Sequence, residues 1–463
     1  MEKHLKKLHK EDCLKGLKAA LQWLRTFLNS YLFYALEVFL AVFFVYQQKE
    51  VQGVLVFVAL ISLILLICED VMPTTLPFLL TCMVATNCYD SFDVFIRYVP
   101  YGLIVVLCIL FHFIVYKKPY STGESFSGLL FVSIALCAGG LGRYTLMEYA
   151  RGAYYVFGLG FGMMVAYLLM KSEFSVKRNY DIKERFSVIM LLWAIACMVV
   201  MFIGVYHAKL YAGQPSGMHR YLPFSPNNMA TFLMFAMPFP LYLSKKNRLW
   251  AIFTPLILYG LYCCDSRGGV LFGTIEFFVC AVYWIFLGNK KIRGAIVGGF
   301  IFIGVIVFIA CWNDVWVKAD EFLKFSQYKD ESRYIMFLEA IENFRENPLL
   351  GTGILDDSIL YGKVNVKGTM TWYHMMTAQI IGSMGLVGVM AYVYQFLGRV
   401  ELIFTKKSAW SLCLGISYLG ILLMSQVNPG EFCPIPFELL TVLLFVFQEQ
   451  RLRENNFKKH LKQ

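Results

Sequence analysis

Charge is what this sequence has least of: Asp, Glu, Lys and Arg make up 16% of its 463 residues, against 58% hydrophobic residues. So thin a polar coat excludes a soluble globular fold and leaves a polytopic membrane protein. Acids are scarcer than bases, 31 against 42, which gives a net charge of +11. In a soluble chain that excess would point to nucleic acid. In a membrane protein basic residues gather in cytoplasmic loops whatever the function, so no nucleic-acid partner is expected. Metal-binding patterns are missing too. The thirteen cysteines form no C-x-x-C pair and fall mostly inside apolar runs, where they read as small core residues. Cys263 and Cys264 adjoin, and neighbouring cysteines rarely bridge each other. With no H-E-x-x-H, no paired His/Cys set and no D-x-D, neither a metal site nor any other cofactor is expected. The first 27 residues hold no small-residue cleavage site, so this basic amphipathic stretch reads as a cytoplasmic leader on anionic lipid rather than a signal peptide.

What is present is a succession of apolar runs near the length of about 20 residues that a membrane span needs. They predict helices near 28–47, 51–68, 71–89, 98–116, 126–142, 153–170, 186–206, 227–243, 249–263, 269–287, 294–311, 374–398, 409–427 and 434–449. The expected architecture is all-α integral membrane, with about 12–14 transmembrane helices and one long extracytoplasmic loop at 312–373 carrying an amphipathic helix. Eleven spans precede that loop within 28–311, three follow within 374–449, and a basic tail closes the chain at 450–463. With the N-terminus inside, 28 basic residues fall on inner segments, including three at 399–407, seven on short outer ones and seven on the long loop. That asymmetry places both termini in the cytoplasm. No internal repeat, low-complexity segment or soluble domain interrupts the pattern.

Four features break the apolar monotony. The first is the long loop, where Tyr334, Phe337, Leu338, Ile341 and Phe344 recur at helical spacing, Ser332 is the expected N-cap, and Pro348 with Gly351-Thr352-Gly353 stops the helix. Long loops in membrane proteins usually carry function, and this helix is expected to lie on the membrane face. The second is His374 at the loop's end. A lone histidine is more often a packing residue, yet its ordinary pKa of about 6.5 suits it to take a proton from a hydroxyl. The third runs from Met218 through Arg220 to Pro226-Asn227-Asn228, where a helix start with outward amides beside an arginine favours anions. The fourth is Asp265-Ser266-Arg267-Gly268-Gly269 on the same face, where two glycines permit close backbone approach. Taken singly, Arg220 and Arg267 are also explained as interfacial or snorkelling residues; together they look like a phosphate clamp. The intramembrane acids Glu37, Glu276 and Glu438 support a rival class, a proton-coupled transporter or lipid-linked oligosaccharide flippase.

The combination resembles the O-antigen ligase/polymerase family of bacterial envelope glycosyltransferases, a GT-C-like class. The likeness rests on Arg333 opening an amphipathic helix, the run Asn347-Pro348-Leu349-Leu350-Gly351-Thr352-Gly353, the histidine before the next span, and Gly382 to Gly388 within it. The segments around Arg220 with Pro226-Asn227 and around Ser266-Arg267-Gly268 look like the family's two other outer motifs. The motif-bearing part covers roughly 218–388. One departure is His374-Met375, where the family commonly has a small polar residue after the histidine.

The resemblance implies a metal-independent glycosyltransferase of the bacterial cytoplasmic membrane. Its donor would be an undecaprenyl-diphosphate-linked oligosaccharide, its acceptor a glycan hydroxyl outside the membrane, with membrane lipid around it. A chain-length regulator is a conceivable further partner. His374 would be the base, Arg220 and Arg267 the diphosphate ligands, and Arg333, Asn227, Gly351 and Gly353 would position donor or loop. Trp372, Tyr373 and Tyr361 would stack on sugar rings, although aromatics at this depth are often interfacial belt residues. Polymerisation of repeat units into capsule, exopolysaccharide or O-antigen is the first expectation. Ligation of finished glycan to another acceptor is the second.

Overall fold

The computed structural model describes residues 2–47, 49–86, 92–116, 122–140, 156–173, 180–210, 226–264, 266–287, 294, 298, 305, 332–353, 373, 375–405, 408–428, 431 and 435–460. Every regular element among them is helical. The protein is an all-α, multi-pass membrane protein, as a chain must be that buries its backbone in hydrocarbon without closing a barrel. In order, the α-helices are α1 (Glu2–Leu28), α2 (Tyr31–Tyr46), α3 (Glu50–Ile67), α4 (Thr75–Thr86), α5 (Phe92–Tyr116), α6 (Glu124–Gly140), α7 (Gly162–Glu173) and α8 (Ile182–Leu210). They continue with α9 (Pro226–Ala236), α10 (Phe239–Leu243), α11 (Phe253–Cys263), α12 (Arg267–Leu287), α13 (Ser332–Glu346), α14 (Met376–Thr405), α15 (Ala409–Met424) and α16 (Ile435–His460).

Four of these are long and apolar enough to cross a membrane as single rods: α3, α8, α12 and α14. A fifth joins them if α1 and α2, bent by 64° at Asn29-Ser30, are one span. Others are broken where the sequence demands it. Pro73 sits in a short 3₁₀ turn, Met72–Thr74, ahead of α4, and Pro77 lies in the first turn of α4, where a missing N–H costs nothing. Pro238 separates α9 from α10. The expected span 294–311 lies outside the described residues except Gly294, Gly298 and Val305, which are helical.

The chain divides into two compact units, residues 1–119 with 172–229, and residues 120–171 with 230–463. In the first, Arg185 at the start of α8 donates to the Asn29 carbonyl and covers the rings of Tyr31 (4.5 Å) and Tyr180 (4.4 Å). Arg25 Nε and the Tyr116 hydroxyl both donate to the Ile67 carbonyl at 2.8 Å. The start of α2, the ends of α3 and α5 and the start of α8 therefore share one end of the unit, the alternation expected of successive spans. In the second unit, Glu449 of α16 accepts from the Ser125 amide (2.6 Å) and the Tyr167 hydroxyl (2.7 Å) and pairs with Lys171. This staple holds the start of α6, the end of α7 and α16 together at one end.

Candidate functional site

The loop helix α13 and the span α14 are joined by an interlocking backbone clasp, and glycine makes it possible. α14 is not straight: at Gly385 the backbone turns to φ 59°, ψ −149°, which breaks the helix into two legs. A break frees amides and carbonyls that hydrocarbon cannot satisfy. The turn Asn347–Gly353 supplies the partners. Thr352 and Gly353 amides donate to the Gly382 and Ser383 carbonyls (both 3.0 Å), and the Leu386 and Val387 amides donate to the Pro348 and Leu349 carbonyls (2.8 and 3.1 Å). Gly351 takes φ 69° and Gly353 φ 99°. A Cβ on Gly351 would stand 2.4 Å from the Ser383 carbonyl carbon, and one on Gly385 would stand 2.7 Å from the Gly351 nitrogen. The glycine-rich run on the loop and the glycines of the span are thus two halves of one joint.

Above the joint, α13 docks on the start of α14 through Met336, Ala340, Tyr373 and Ala378, with Phe337 and Met375 at the edge. Asn343 Nδ2 donates to the Tyr373 hydroxyl (2.7 Å), the Tyr373 amide to Gln379 Oε1 (3.1 Å), and Gln379 Nε2 to Ser383 Oγ (2.8 Å). The docked stripe is Met336, Ala340 and Asn343, while Tyr334 and Leu338 of the apolar stripe are half exposed. Small Ala340 wins the contact because it lets the helices approach, and Gly382 faces it, where a Cβ would lie 3.2 Å from the Ala340 Cα. Ser332 is the first helical residue rather than the cap, and Tyr373, 4% exposed under α13, is an anchor rather than a platform for sugars. On the flank of α13, one Glu339 oxygen has no hydrogen-bond partner among the described residues. Burial first, and then the charge of Glu342, hold its carboxyl above the usual carboxylate range.

The turn after α15, Ser425–Asn428, is where two expected site segments converge. The Ser425 carbonyl accepts the Met376 amide (2.8 Å), and Thr377 Oγ1 donates to Gln426 Oε1 (2.8 Å). On the same turn, Val427 lies against Gly268, where a Cβ would stand 2.7 Å from its methyl. Gly269 is as close to Ala230, 2.4 Å from a built Cβ to the Ala230 Cβ. Ser266 caps α12 by accepting the Gly269 amide (3.0 Å), which leaves Arg267 exposed at the helix start. The beginning of α12, with Arg267, and the beginning of α14, two residues beyond His374, are thus fixed to one turn.

Beneath this turn the two legs of α14 flank a groove of about 200 Å³ lined by Ile380, Ile381, Tyr392, Phe396, Leu422 and Glu431. Next to it, Arg399 pairs with Glu431 and with Glu438 (3.0 Å) and covers the rings of Phe445 (5.2 Å) and Tyr418 (5.6 Å). Arg399 is 3% exposed. It lies within the helix rather than beyond the end of the expected span 374–398, because the helix continues to Thr405. Glu438 is likewise ion-paired. Glu37 and Glu276 are buried with no hydrogen-bond partner among the described residues.

His374, Arg220, Trp372 and Tyr361 lie outside the described residues, and Arg333 is described only as backbone within α13. Asn227 is the second residue of α9, whose first, Pro226, has no amide to leave unpaired. Sequence reading passed over Asn343, Gln379, Ser425, Glu431 and Arg399. The signal for the turn was there, in the polar run Ser425-Gln426-Val427-Asn428-Pro429-Gly430 between two apolar stretches. Cys263 and Cys264 form no disulfide, and among the described residues no three His, Cys, Asp or Glu side chains gather as metal ligands would.

Comparison with curated proteins gives no match. A family model does match: residues 252–393 fit the one described as O-antigen ligase. That interval starts ahead of Arg267, contains α13 and the whole clasp, and ends on the second leg of α14. The segment that builds the joint fits an O-antigen ligase domain, which supports membership of the O-antigen ligase/polymerase family.

Proposed function

We propose that the protein polymerises undecaprenyl-diphosphate-linked oligosaccharide repeat units into a surface polysaccharide, by glycosyl transfer on the outer side of the bacterial cytoplasmic membrane, with both termini inside. The observation that carries this reading is the convergence of the Arg267 helix start and the segment just beyond His374 on the turn Ser425–Asn428. In the transfer, His374 takes the proton of the acceptor hydroxyl as its oxygen bonds to the anomeric carbon. The bond from that carbon to the diphosphate breaks, and the departing lipid diphosphate keeps the electron pair. Its charge needs fixed cations, the role given to Arg267 and Arg220. Arg267 suits the role electrostatically. A cation at a helix N-terminus sits against the positive end of the dipole, a placement that costs about 0.3–1 kcal/mol unless an anion is bound there. Arg333, Asn227, Gly351 and Gly353 position donor and loop, and no metal ion takes part.

One observation favours a second reading equally: the matching family model is described as O-antigen ligase. In that case the finished glycan passes to a different acceptor at the same site. Complementation with His374→Ala in cells lacking the gene separates the two when surface polysaccharide and lipid-linked intermediates are both measured. Loss of polymer with accumulation of a single lipid-linked repeat supports the polymerase. Loss of attached glycan with long lipid-linked chains present supports the ligase, and undiminished polysaccharide refutes His374 as the base and returns the transporter class to consideration.

A further inference from the structure

We propose that Arg399, far along α14 from the expected reaction centre, is a positioning residue that sets the backbone beside His374 through Glu431 and Ser425. The inference rests on the transferase reading above. Arg399 is enclosed, with Nη2 held by Glu438 of α16 (3.0 Å) and Nη1 donating to the Tyr418 hydroxyl (3.4 Å). The same Nη1 pairs with Glu431, a residue in the connection between α15 and α16 that is 2% exposed. The Glu431 amide donates to Ser425 Oγ (2.9 Å), and the Ser425 carbonyl accepts the Met376 amide (2.8 Å). The chain of contacts therefore runs from a fixed cation, through one carboxylate and one serine, to a backbone amide two residues past His374.

Each link is placed to transmit position rather than to react. Arginine stays charged and its planar fork fixes direction, so Glu431 is held in orientation as well as distance. Glu431 has no hydrogen-bond donor to its carboxylate oxygens among the described residues other than this ion pair. Without Arg399 the connection loses its charged tether, while Glu438 continues to hold nothing that touches α14's start. Ser425 contributes at both ends, its hydroxyl to Glu431 and its carbonyl to Met376, so it is the link whose loss uncouples the two. A base displaced by about 1 Å from a reacting hydroxyl can lose on the order of 100-fold in rate without any change in its chemistry. This is the effect a slack tether would have on His374, and it would appear in kcat with donor KM unchanged.

The test uses the full chain in lipid nanodiscs. Arg399→Gln, Arg399→Lys, Glu431→Gln, Ser425→Ala and His374→Ala are compared for transfer from a lipid-diphosphate-linked glycan. Amide hydrogen exchange of the peptide covering 373–380 is measured on each. Arg399→Gln and Ser425→Ala should each lower kcat at least tenfold at unchanged donor KM and speed exchange of that peptide. Arg399→Lys, which keeps the charge and loses the fork, should recover only part of both, and the Arg399→Gln/Ser425→Ala pair should be no slower than the slower single variant. Ser425→Ala removes no charge, so it carries the test if the arginine variant fails to fold. Unchanged exchange at 373–380 in Arg399→Gln, or effects that multiply in the double variant, would overturn the relay. Should His374→Ala remain fully active while exchange responds as expected, His374 is not the base and the structural link stands; no transfer by the wild-type protein would sink the transferase reading itself.

Discussion

Replacing Gly351 by alanine should open the clasp between the loop and α14, and the consequence can be sized from the structure. Gly351 sits at φ 69°, a region that costs an ordinary residue about 1–2 kcal/mol. The new methyl would meet backbone rather than flexible side chains, at 2.4 Å from the Ser383 carbonyl carbon and 2.5 Å from the Met384 nitrogen. Backbone in a packed helix cannot withdraw by the required ångström, so the turn must move away. Four hydrogen bonds then open: from Thr352, Gly353, Leu386 and Val387. At about 0.5–1.5 kcal/mol each they total roughly 2–6 kcal/mol, and in an apolar setting the freed amides find no water to replace them. The expected result is a lower melting temperature for the purified protein in detergent and loss of exchange protection at Leu386 and Val387, with transfer activity falling in parallel. Gly398→Ala is the control: it is also on α14, but a Cβ there meets nothing within 4 Å. It should be neutral or stabilising by up to about 1 kcal/mol through helix propensity. Wild-type melting and protection in Gly351→Ala would refute the clasp as a tight joint.

Two further outcomes are expected. Arg267→Ala should abolish most transfer while leaving expression and melting unchanged, because the side chain is exposed; Arg267→Lys should restore only part, since an ammonium cannot bind two phosphate oxygens as a fork. Equal activity of the alanine variant would remove Arg267 from the diphosphate site. Glu339 is held above its ordinary pKa by burial and by Glu342. A carboxyl raised on folding contributes stability that is complete below its unfolded pKa and lost as pH climbs through the raised value. Docking of α13 should therefore loosen with rising pH across that interval, read as faster exchange of peptide 332–346, and Glu339→Gln should abolish the dependence.

The helices were legible in the sequence because hydrocarbon allows few alternatives: an apolar run must satisfy its own amides, so the expected spans and observed helices agree within a few residues along most of the chain. The loop helix was legible for the same reason, through its spacing and the Pro348 stop. Its buried face was not. Large aromatics dominate a hydrophobic pattern, whereas the contact is decided by where small residues let two backbones meet, as Ala340 and Gly382 do. The break in α14 left only a faint trace, Gly382, Gly385 and Gly388 three apart, because its necessity lies in the Pro348 and Leu349 carbonyls far back in the chain. Arg399 fell just beyond the expected span because the apolar run gives way there to basic residues, Lys406 and Lys407, whereas the helix runs on to Thr405. Its partners, Glu431 and Glu438, lie on the far side of another helix, and long-range pairing has no local signature.

The broken α14 also divides the labour of living in a bilayer. Its 30 residues would measure about 45 Å as a straight rod, well beyond the roughly 30 Å of hydrocarbon. The second leg, from Leu386 to Thr405, is about 30 Å long by itself and suffices to cross. The first leg is thus surplus to spanning, and it is the leg that α13 and the Ser425 turn hold. Membrane thickness therefore bears on the second leg, and that leg is tied to the first-leg apparatus by the Leu386 and Val387 amides and by Arg399 through Glu431. A tilt imposed by lipid composition is passed through these contacts to the turn that holds the first leg.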